Sequence, residues 1–414
     1  MAHTAEIITI GDEILYGQTL DTNSHWLSGA LDGINIKVIQ KSTIGDQEEQ
    51  ITHALREAEK RADIILITGG LGPTNDDLTK PTLAKYFDVQ LRLNEEALQE
   101  IYDLFALVGR VPTSMNEKQA ELPTNAEKIK NTVGTAPGMW FQERGKVFIS
   151  MPGVPREMKE MMQRTILPRL SEQFATGAIV HRMIRTVGIP ESKLAEKIAA
   201  WEAALPTPIR LAYLPSLGQV KLRMTATGED ASLLEKLLDE STEALLPLVG
   251  DYYYGTGTTE LEELVGIILK EADATVATAE SCTGGMVAGT LVSIPGSSDY
   301  FVGGVVAYDN RIKMQVLGVS KQTLEAHGAV SGPVVQEMAM GVRKKFQTSV
   351  GIATSGVAGP AGGSEDKPVG TVWIGYSDER KTTAEKMVFT KDRALNIRLS
   401  TLAALNLLRL NFQR

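Results

Sequence analysis

One recurring unit constrains this chain more than any other feature. A short β-branched run is followed by glycine and polar residues, and then by an amphipathic helical stretch. EIITIG, from Glu6, precedes TNSHWLSGAL, and KVIQKSTIGD, from Lys37, precedes EEQITHALREAEKRA. DIILITGGLG, from Asp63, and KVFISMPGVP, from Lys146, continue the pattern. Strand runs alternating with helices predict a parallel sheet covered on both faces. Ligands of such sheets gather beyond the carboxyl ends of the strands. There the sequence places GDEILYGQ, TGGLGPTNDD and MPGVPRE.

The pattern changes after Arg169. HRMIRTVGI, PESKLAEKIAAWEAAL, PIRLAYLP, QVKLRMTATG and ASLLEKLLDESTEALLPLV predict a small β-α-β-β-α domain, and VGDYYYGTGTT reads as a linker. From Glu260 a second α/β pattern runs to the helix DRALNIRLSTLAALNLLRL. The expected domains are residues 1–170, 171–250 and 258–414, without an internal repeat. A chain of 414 residues is long enough for several cores. Its net charge of −9 argues against a nucleic-acid partner, because phosphate contacts need a basic face. The single cysteine, Cys282, excludes an intrachain disulfide. MAHTAEIITIGDEIL lacks a basic stretch followed by an apolar one, so no signal peptide is expected. No apolar run has membrane-spanning length, and a cytoplasmic location is expected. The histidines, His3, His25, His53, His181 and His327, form no zinc-binding spacing.

In TGGLGPTNDDLT, Gly69, Gly70 and Gly72 allow close backbone approach to a ligand, and their amides could cradle phosphate. Asp76 and Asp77 follow, and Thr79 could cap the next helix. TIGDEILYGQTLDTNSHWL offers the acids Asp12, Glu13 and Asp21 with Asn23; such acids can hold a hard cation or simply cap helices. These loops, with MPGVPREM, resemble the molybdopterin-binding (MoCF) fold and, within it, the N-terminal domain of the CinA family. The resemblance implies a three-layer α/β domain acting as a metal-dependent ADP-ribose pyrophosphatase. It implies ADP-ribose among Gly69, Gly70, Gly72, Thr79, Asn23, Asn116 and Lys118. A divalent ion of Co or Mg type, with potassium as a second ion, would use Asp12, Asp76 or Asp77.

In ATVATAESCTGGMVAG an apolar strand ends in Glu280-Ser281-Cys282-Thr283-Gly284-Gly285 before a helix. Amides there could stabilise a phosphate or an oxyanion, and a plain hydroxyl cap is the bland alternative. PGSSDYFVGGVVAYDNRIK supplies Ser297, Ser298, Tyr308, Asn310 and Lys313; Ser355 and Arg393 follow. His327 is the only histidine of this region, so lysine is the more economical base if burial lowers its pKa. Cys282, with no histidine motif nearby, is expected to pack beneath the loop.

AESCTGG, GSS, YDN, GAVS, the segment SGVAGPAGGSEDKPVGTVW and DR resemble the C-terminal domain of the CinA family and the stand-alone nicotinamide mononucleotide (NMN) deamidases. The resemblance implies an α/β deamidase domain that hydrolyses the NMN carboxamide with a Ser/Lys dyad and no cofactor. Ser298 and Ser281 are both candidate nucleophiles, with Ser298 preferred, Lys313 as base and Tyr308 as orienting group or proton donor. Thr283, Gly284, Gly285, Asn310, Ser355 and Arg393 are expected to contact NMN. The middle segment resembles the KH-like α+β connecting domain of the family, without a GxxG loop. The alternatives are a molybdopterin-handling N-terminal domain and a non-catalytic competence or recombination accessory. A homodimer is expected from the apolar C-terminal helices, and no membrane partner.

Overall fold

The computed structural model describes residues 3–74, 76–107, 109–174 and 177–412. Contacts divide the chain into two units, residues 1–179 with 227–234 and residues 180–226 with 235–414.

The first unit is built on β1 (Thr4–Ile10), β2 (Lys37–Ile44), β3 (Ile64–Thr68), β4 (Leu91–Leu93), β5 (Glu121–Pro123), β6 (Glu127–Ile129), β7 (Gly138–Glu143) and β8 (Lys146–Met151). Six of these form one sheet in the order β2-β1-β3-β8-β7-β6; β4 and β5 make a separate ribbon. The sheet is parallel from β2 to β8, as the sequence predicts. β7 is reversed because Arg144 and Gly145, both at positive φ, close a tight hairpin between β7 and β8, and β6 pairs antiparallel with β7 at the sheet's edge.

Side chains alternate across a strand, so each strand feeds two layers. Ile7, Leu66 and Ile149 pack with Leu27 and Leu31 of the helix Thr22–Asp32. Ile8, Ile65 and Phe148 pack with Ile51 and Leu55 of the helix Glu48–Arg61 on the other face. Truncating one such fully buried residue, Leu66→Ala for example, is expected to cost ~2–5 kcal/mol. In register Thr9 lies opposite Thr68, Thr68 opposite Met151 and Ile10 opposite Ile44. The loops after these strands therefore leave from one edge.

The connecting segment carries β9 (Ala178–Val187), β10 (Ile209–Ser216), β11 (Gln219–Gly228) and β12 (Tyr253–Thr256), in the order β10-β11-β9-β12. With the helices Glu191–Ala203 and Ala231–Val249 it follows the expected β-α-β-β-α order. The stretch read as a linker instead supplies β12, antiparallel to β9. Its tyrosines suit a strand, and Tyr254 is buried.

The last domain has β13 (Val276–Glu280), β14 (Phe301–Val306), β15 (Val350–Gly356), β16 (Thr371–Ser377) and β17 (Thr382–Val388), in the order β14-β13-β15-β16-β17. β14, β13 and β15 are parallel, with Glu280 opposite both Val306 and Thr354. Ala404, Leu405 and Leu408 of the helix Arg393–Phe412 pack with Leu261 and Val265 in the domain's own core. Among the described residues no helix is long and apolar enough to cross a membrane.

Candidate functional sites

At the carboxyl edge of the C-terminal sheet, Ser281 follows β13 and Ala307 follows β14. The helix Asn310–Leu317 returns Lys313 beneath that edge, where it is 1% exposed. Its Nζ donates to Ser281 Oγ at 3.3 Å, Ala307 O at 2.7 Å and Tyr308 O at 3.2 Å. Burial pushes the pKa of this lysine below the ordinary value, and Asp309 and Cys282 oppose that shift. A neutral amine has two N–H bonds and one lone pair. With both N–H bonds on the two carbonyls, the lone pair is left for the Ser281 hydroxyl.

Ser298 lies elsewhere. It is exposed in the turn Ser297–Asp299, just before β14. The six residues of β14 span roughly 20 Å and separate it from the edge that holds Lys313. The preference for Ser298 as the partner of Lys313 is therefore corrected: within this chain, Ser281 is the serine in reach. His327 ends the helix Lys321–His327, and its carbonyl accepts from Lys367.

The turn after Ser281 is organised by a residue the sequence reading passed over. Glu280 is 1% exposed. Its Oε2 accepts from Thr283 Oγ1 at 2.7 Å, Gly285 N at 2.9 Å and Val287 N at 3.0 Å, and its Oε1 from Ala288 N at 2.7 Å. The start of the helix Met286–Val292 is thus already occupied by a carboxylate, and the Gly285 amide, one of the expected NMN contacts, is spent on Glu280. Gly284 N bonds back to Ser281 O. The amides of Cys282 and Thr283 have no acceptor among the described residues and remain as donors beside Ser281. Thr283 Oγ1 also shares a hydrogen bond with Thr354 Oγ1 at 2.7 Å. Cys282 is buried, and burial pushes its thiol up to about 12, which leaves it un-ionised near neutral pH.

Arg393 opens the C-terminal helix and donates to Gly359 O at 2.8 Å and to the exposed Tyr308 hydroxyl at 3.3 Å. The Tyr308 side chain thus faces Arg393, while its carbonyl orients Lys313. Ser355 is buried and donates to Ala329 O at 2.7 Å. Asn310 is exposed in the first turn of its helix, where Asp309 is the cap.

The first unit carries a cleft of about 390 Å³ at its own carboxyl edge, lined by residues that include Glu13, Asn23, Asp46, Gly70, Asp76 and Gln119. Gly69 and Gly70 have positive φ, and a side chain there would strike Ile10 O and Thr79 Oγ1 respectively. Two of the three glycine amides are internally bonded, Gly69 N to Met151 O and Gly72 N to Asp77 Oδ1. Gly70 N has no acceptor among the described residues. Buried Thr79 donates to Gly69 O. Asn23 Nδ2 donates to Thr68 Oγ1 and Gly153 O and ties two of the loops together. Asp21 caps the helix Thr22–Asp32.

Asp77 is held by Gly72 N, Thr74 N and Thr74 Oγ1, so its carboxylate fixes the loop. Asn116, inside the helix Ser114–Lys118, accepts from the cap residue Thr113, and Lys118 is exposed; neither lines the cleft. Gln119 does, and Lys80, whose pKa burial lowers to about 8, holds the Lys118 and Gln119 carbonyls. Asp46 was also missed. Burial raises its pKa, and the charges of Asp12, Glu13 and Asp76 add to the rise. The sequence does carry a signal for it, because Thr9-Ile10-Gly11-Asp12 recurs as Thr43-Ile44-Gly45-Asp46. The two copies pair in register, and Asp12 N donates to Asp46 Oδ2 at 3.0 Å. Among the described residues no three His, Cys, Asp or Glu side chains converge well enough to hold a metal ion. Of the candidate ligands Asp12, Asp76 and Asp77, the last two line the cleft.

Fold and sites together define a multidomain α/β protein: a MoCF-like domain, a KH-like connector and a second α/β domain with a buried lysine beside a serine. Residues 6–172 match the probable molybdopterin binding domain, 181–255 the damage-inducible protein CinA KH domain, and 258–412 the CinA C-terminal domain. A CinA-like protein of Cytophaga hutchinsonii is 49% identical over 98% of this chain and 97% of its own length. One of Flavobacterium psychrophilum is 43% identical over 95% and 96%. The solved structure of CinA from Thermoplasma acidophilum is 34% identical, covering 42% of this chain and 98% of that chain at a TM-score of 0.38. The chain belongs to the CinA family.

Proposed function

We propose that the C-terminal domain is an amidohydrolase that converts NMN to nicotinic acid mononucleotide and ammonia. One observation carries this reading: the buried Lys313 amine, bonded to two carbonyls, stands 3.3 Å from Ser281 Oγ. Lys313 takes the Ser281 proton as Oγ attacks the carboxamide carbon, and the amides of Cys282 and Thr283 receive the oxyanion. The lysine passes that proton to the departing nitrogen, and ammonia leaves a Ser281 ester. Water, deprotonated by Lys313, hydrolyses the ester and frees Ser281. Arg393 suits the substrate phosphate, since its planar guanidinium retains donors beyond the two it uses. The test is ammonia release from NMN by the purified protein without added metal. Activity that disappears in Lys313→Ala supports the reading; a folded wild type without activity overturns it and leaves the binding-accessory alternative.

A second reading concerns the N-terminal cleft, whose volume and open Gly70 amide suit a nucleotide pyrophosphate. There the domain hydrolyses ADP-ribose to AMP and ribose 5-phosphate, with a divalent ion as the cation implied by the family resemblance. Turnover of ADP-ribose, compared with binding of molybdopterin, separates this activity from molybdopterin handling.

A further inference from the structure

We propose that Glu280 is the positioning residue of the Ser281 site. Its buried carboxylate fixes the turn that carries the nucleophile and closes the helix behind it to anions. This rests on the deamidase reading for its catalytic consequence, but not for its structural one.

The first amides of a helix ordinarily face water, a cap or a ligand. Here the carboxylate of Glu280 reaches around the turn to collect Gly285 N, Val287 N and Ala288 N, together with the Thr283 hydroxyl. The turn can wrap the carboxylate because Gly284 and Gly285 adopt positive φ, 61° and 100°. Both ends of the wrapped segment are anchored. Ser281 N bonds to Thr354 O at 3.0 Å, and Thr283 Oγ1 meets the Thr354 hydroxyl. Between these anchors lie Ser281 and the free Cys282 and Thr283 amides, which must keep their relative geometry for attack and oxyanion binding.

Two consequences follow. Removing the carboxylate lowers the turnover rate more than substrate affinity, because the nucleophile is displaced while Arg393 is untouched. It also opens a cradle of donors sized for a small carboxylate. Gln cannot replace Glu here: with its oxygen on the three Oε2 donors, its amide nitrogen would face Ala288 N–H, donor against donor.

Cys282, the chain's only cysteine, is a native reporter inside the turn. In Glu280→Gln, labelling of Cys282 by a thiol-reactive disulfide is expected to accelerate by roughly tenfold or more, with unchanged circular dichroism. NMN turnover should fall by a similar factor with KM within about twofold of wild type. In Glu280→Ala, formate but not chloride should slow Cys282 labelling and restore turnover. Hydrogen exchange on the wild type needs no variant: the Gly285, Val287 and Ala288 amides should be protected despite lying in a first helical turn. Fast exchange at all three, or wild-type labelling rates in a folded Glu280→Gln, overturns the proposal. A wild type inactive on NMN would defeat the deamidase reading while labelling and exchange still decide the role of Glu280.

Discussion

Two acids at the carboxyl edges of the parallel strands of the two sheets meet opposite surroundings. Glu280 ends β13 and is buried with four donors on its oxygens. Asp46 follows β2, receives one backbone amide, and faces the charges of Asp12, Glu13 and Asp76. Buried charge is tolerated when hydrogen-bonded and costly when crowded by its own sign. One edge is therefore internally satisfied, with a neutralised helix start and a serine poised over a lysine. The other is left electrostatically tense at the mouth of an open cleft. The proposed deamidase would work without an added ion, and the proposed pyrophosphatase would bring its cation to the crowded acids of this mouth.

The largest expected effect tests the first half of that contrast. Lys313→Ala should reduce NMN deamidation by about 10³-fold or more and leave ADP-ribose hydrolysis at the wild-type rate. Ser281→Ala should match it, while Ser298→Ala stays within about twofold, as measured by ammonia release. A Ser298→Ala loss equal to that of Ser281→Ala would break the assignment.

Chelation tests the second half. Removing divalent ions should abolish ADP-ribose hydrolysis and leave NMN deamidation unchanged. Equal sensitivity of both activities would erase the distinction between the edges.

A pH profile sharpens the contrast with a smaller effect. Lys313 acts as a base only when neutral, and burial lowers its folded-state pKa below the 10.5 of a free lysine. Deamidation should therefore rise with pH through that lowered value and fall as pH drops below it. The ascending limb of kcat/KM should lie below 10.5.

Much of this architecture was legible from pattern alone. The β-branched runs at β1, β3 and β8 and the glycine loops behind them located both sheet edges. Strand alternation and loop glycines are local signals. The pairing of Ser281 with Lys313 was not local. Ser298 is nearer to Lys313 in sequence, but β14 lies between them and carries the chain across the sheet, whereas β13 delivers Ser281 to the right edge. Glu280 was overlooked because an acid ending an apolar strand reads as the first polar residue of a turn. Its burial depends on a helix start folding back over it. Asp46 became visible only through strand register, which brings the second Thr-Ile-Gly-Asp beside the first. Asn116 and Lys118 were placed by family resemblance, and a capping role and an exposed side chain took them out of the cleft.

The smallest expected effect is the mirror image of Glu280→Gln. Asp46→Asn makes the same carboxylate-to-amide change and keeps an oxygen for Asp12 N. It removes a charge that burial and three neighbouring acids oppose. The sign follows from linkage. A carboxyl whose folded-state pKa is raised contributes its stability below the unfolded value and loses it as pH rises through the folded one. Asp46 therefore burdens the fold at neutral pH, and its replacement should stabilise the protein there. Asp46 is half-buried, so solvent screening limits the gain to less than about 1 kcal/mol. Thermal unfolding at neutral pH should show a small rise in Tm that fades as pH falls into the carboxylate range. A divalent ion bound at that mouth would cancel the gain, because the cation relieves the same repulsion. If Asp46→Asn lowers Tm both with and without divalent ion, the carboxylate is bonded rather than crowded, and the contrast with Glu280 disappears.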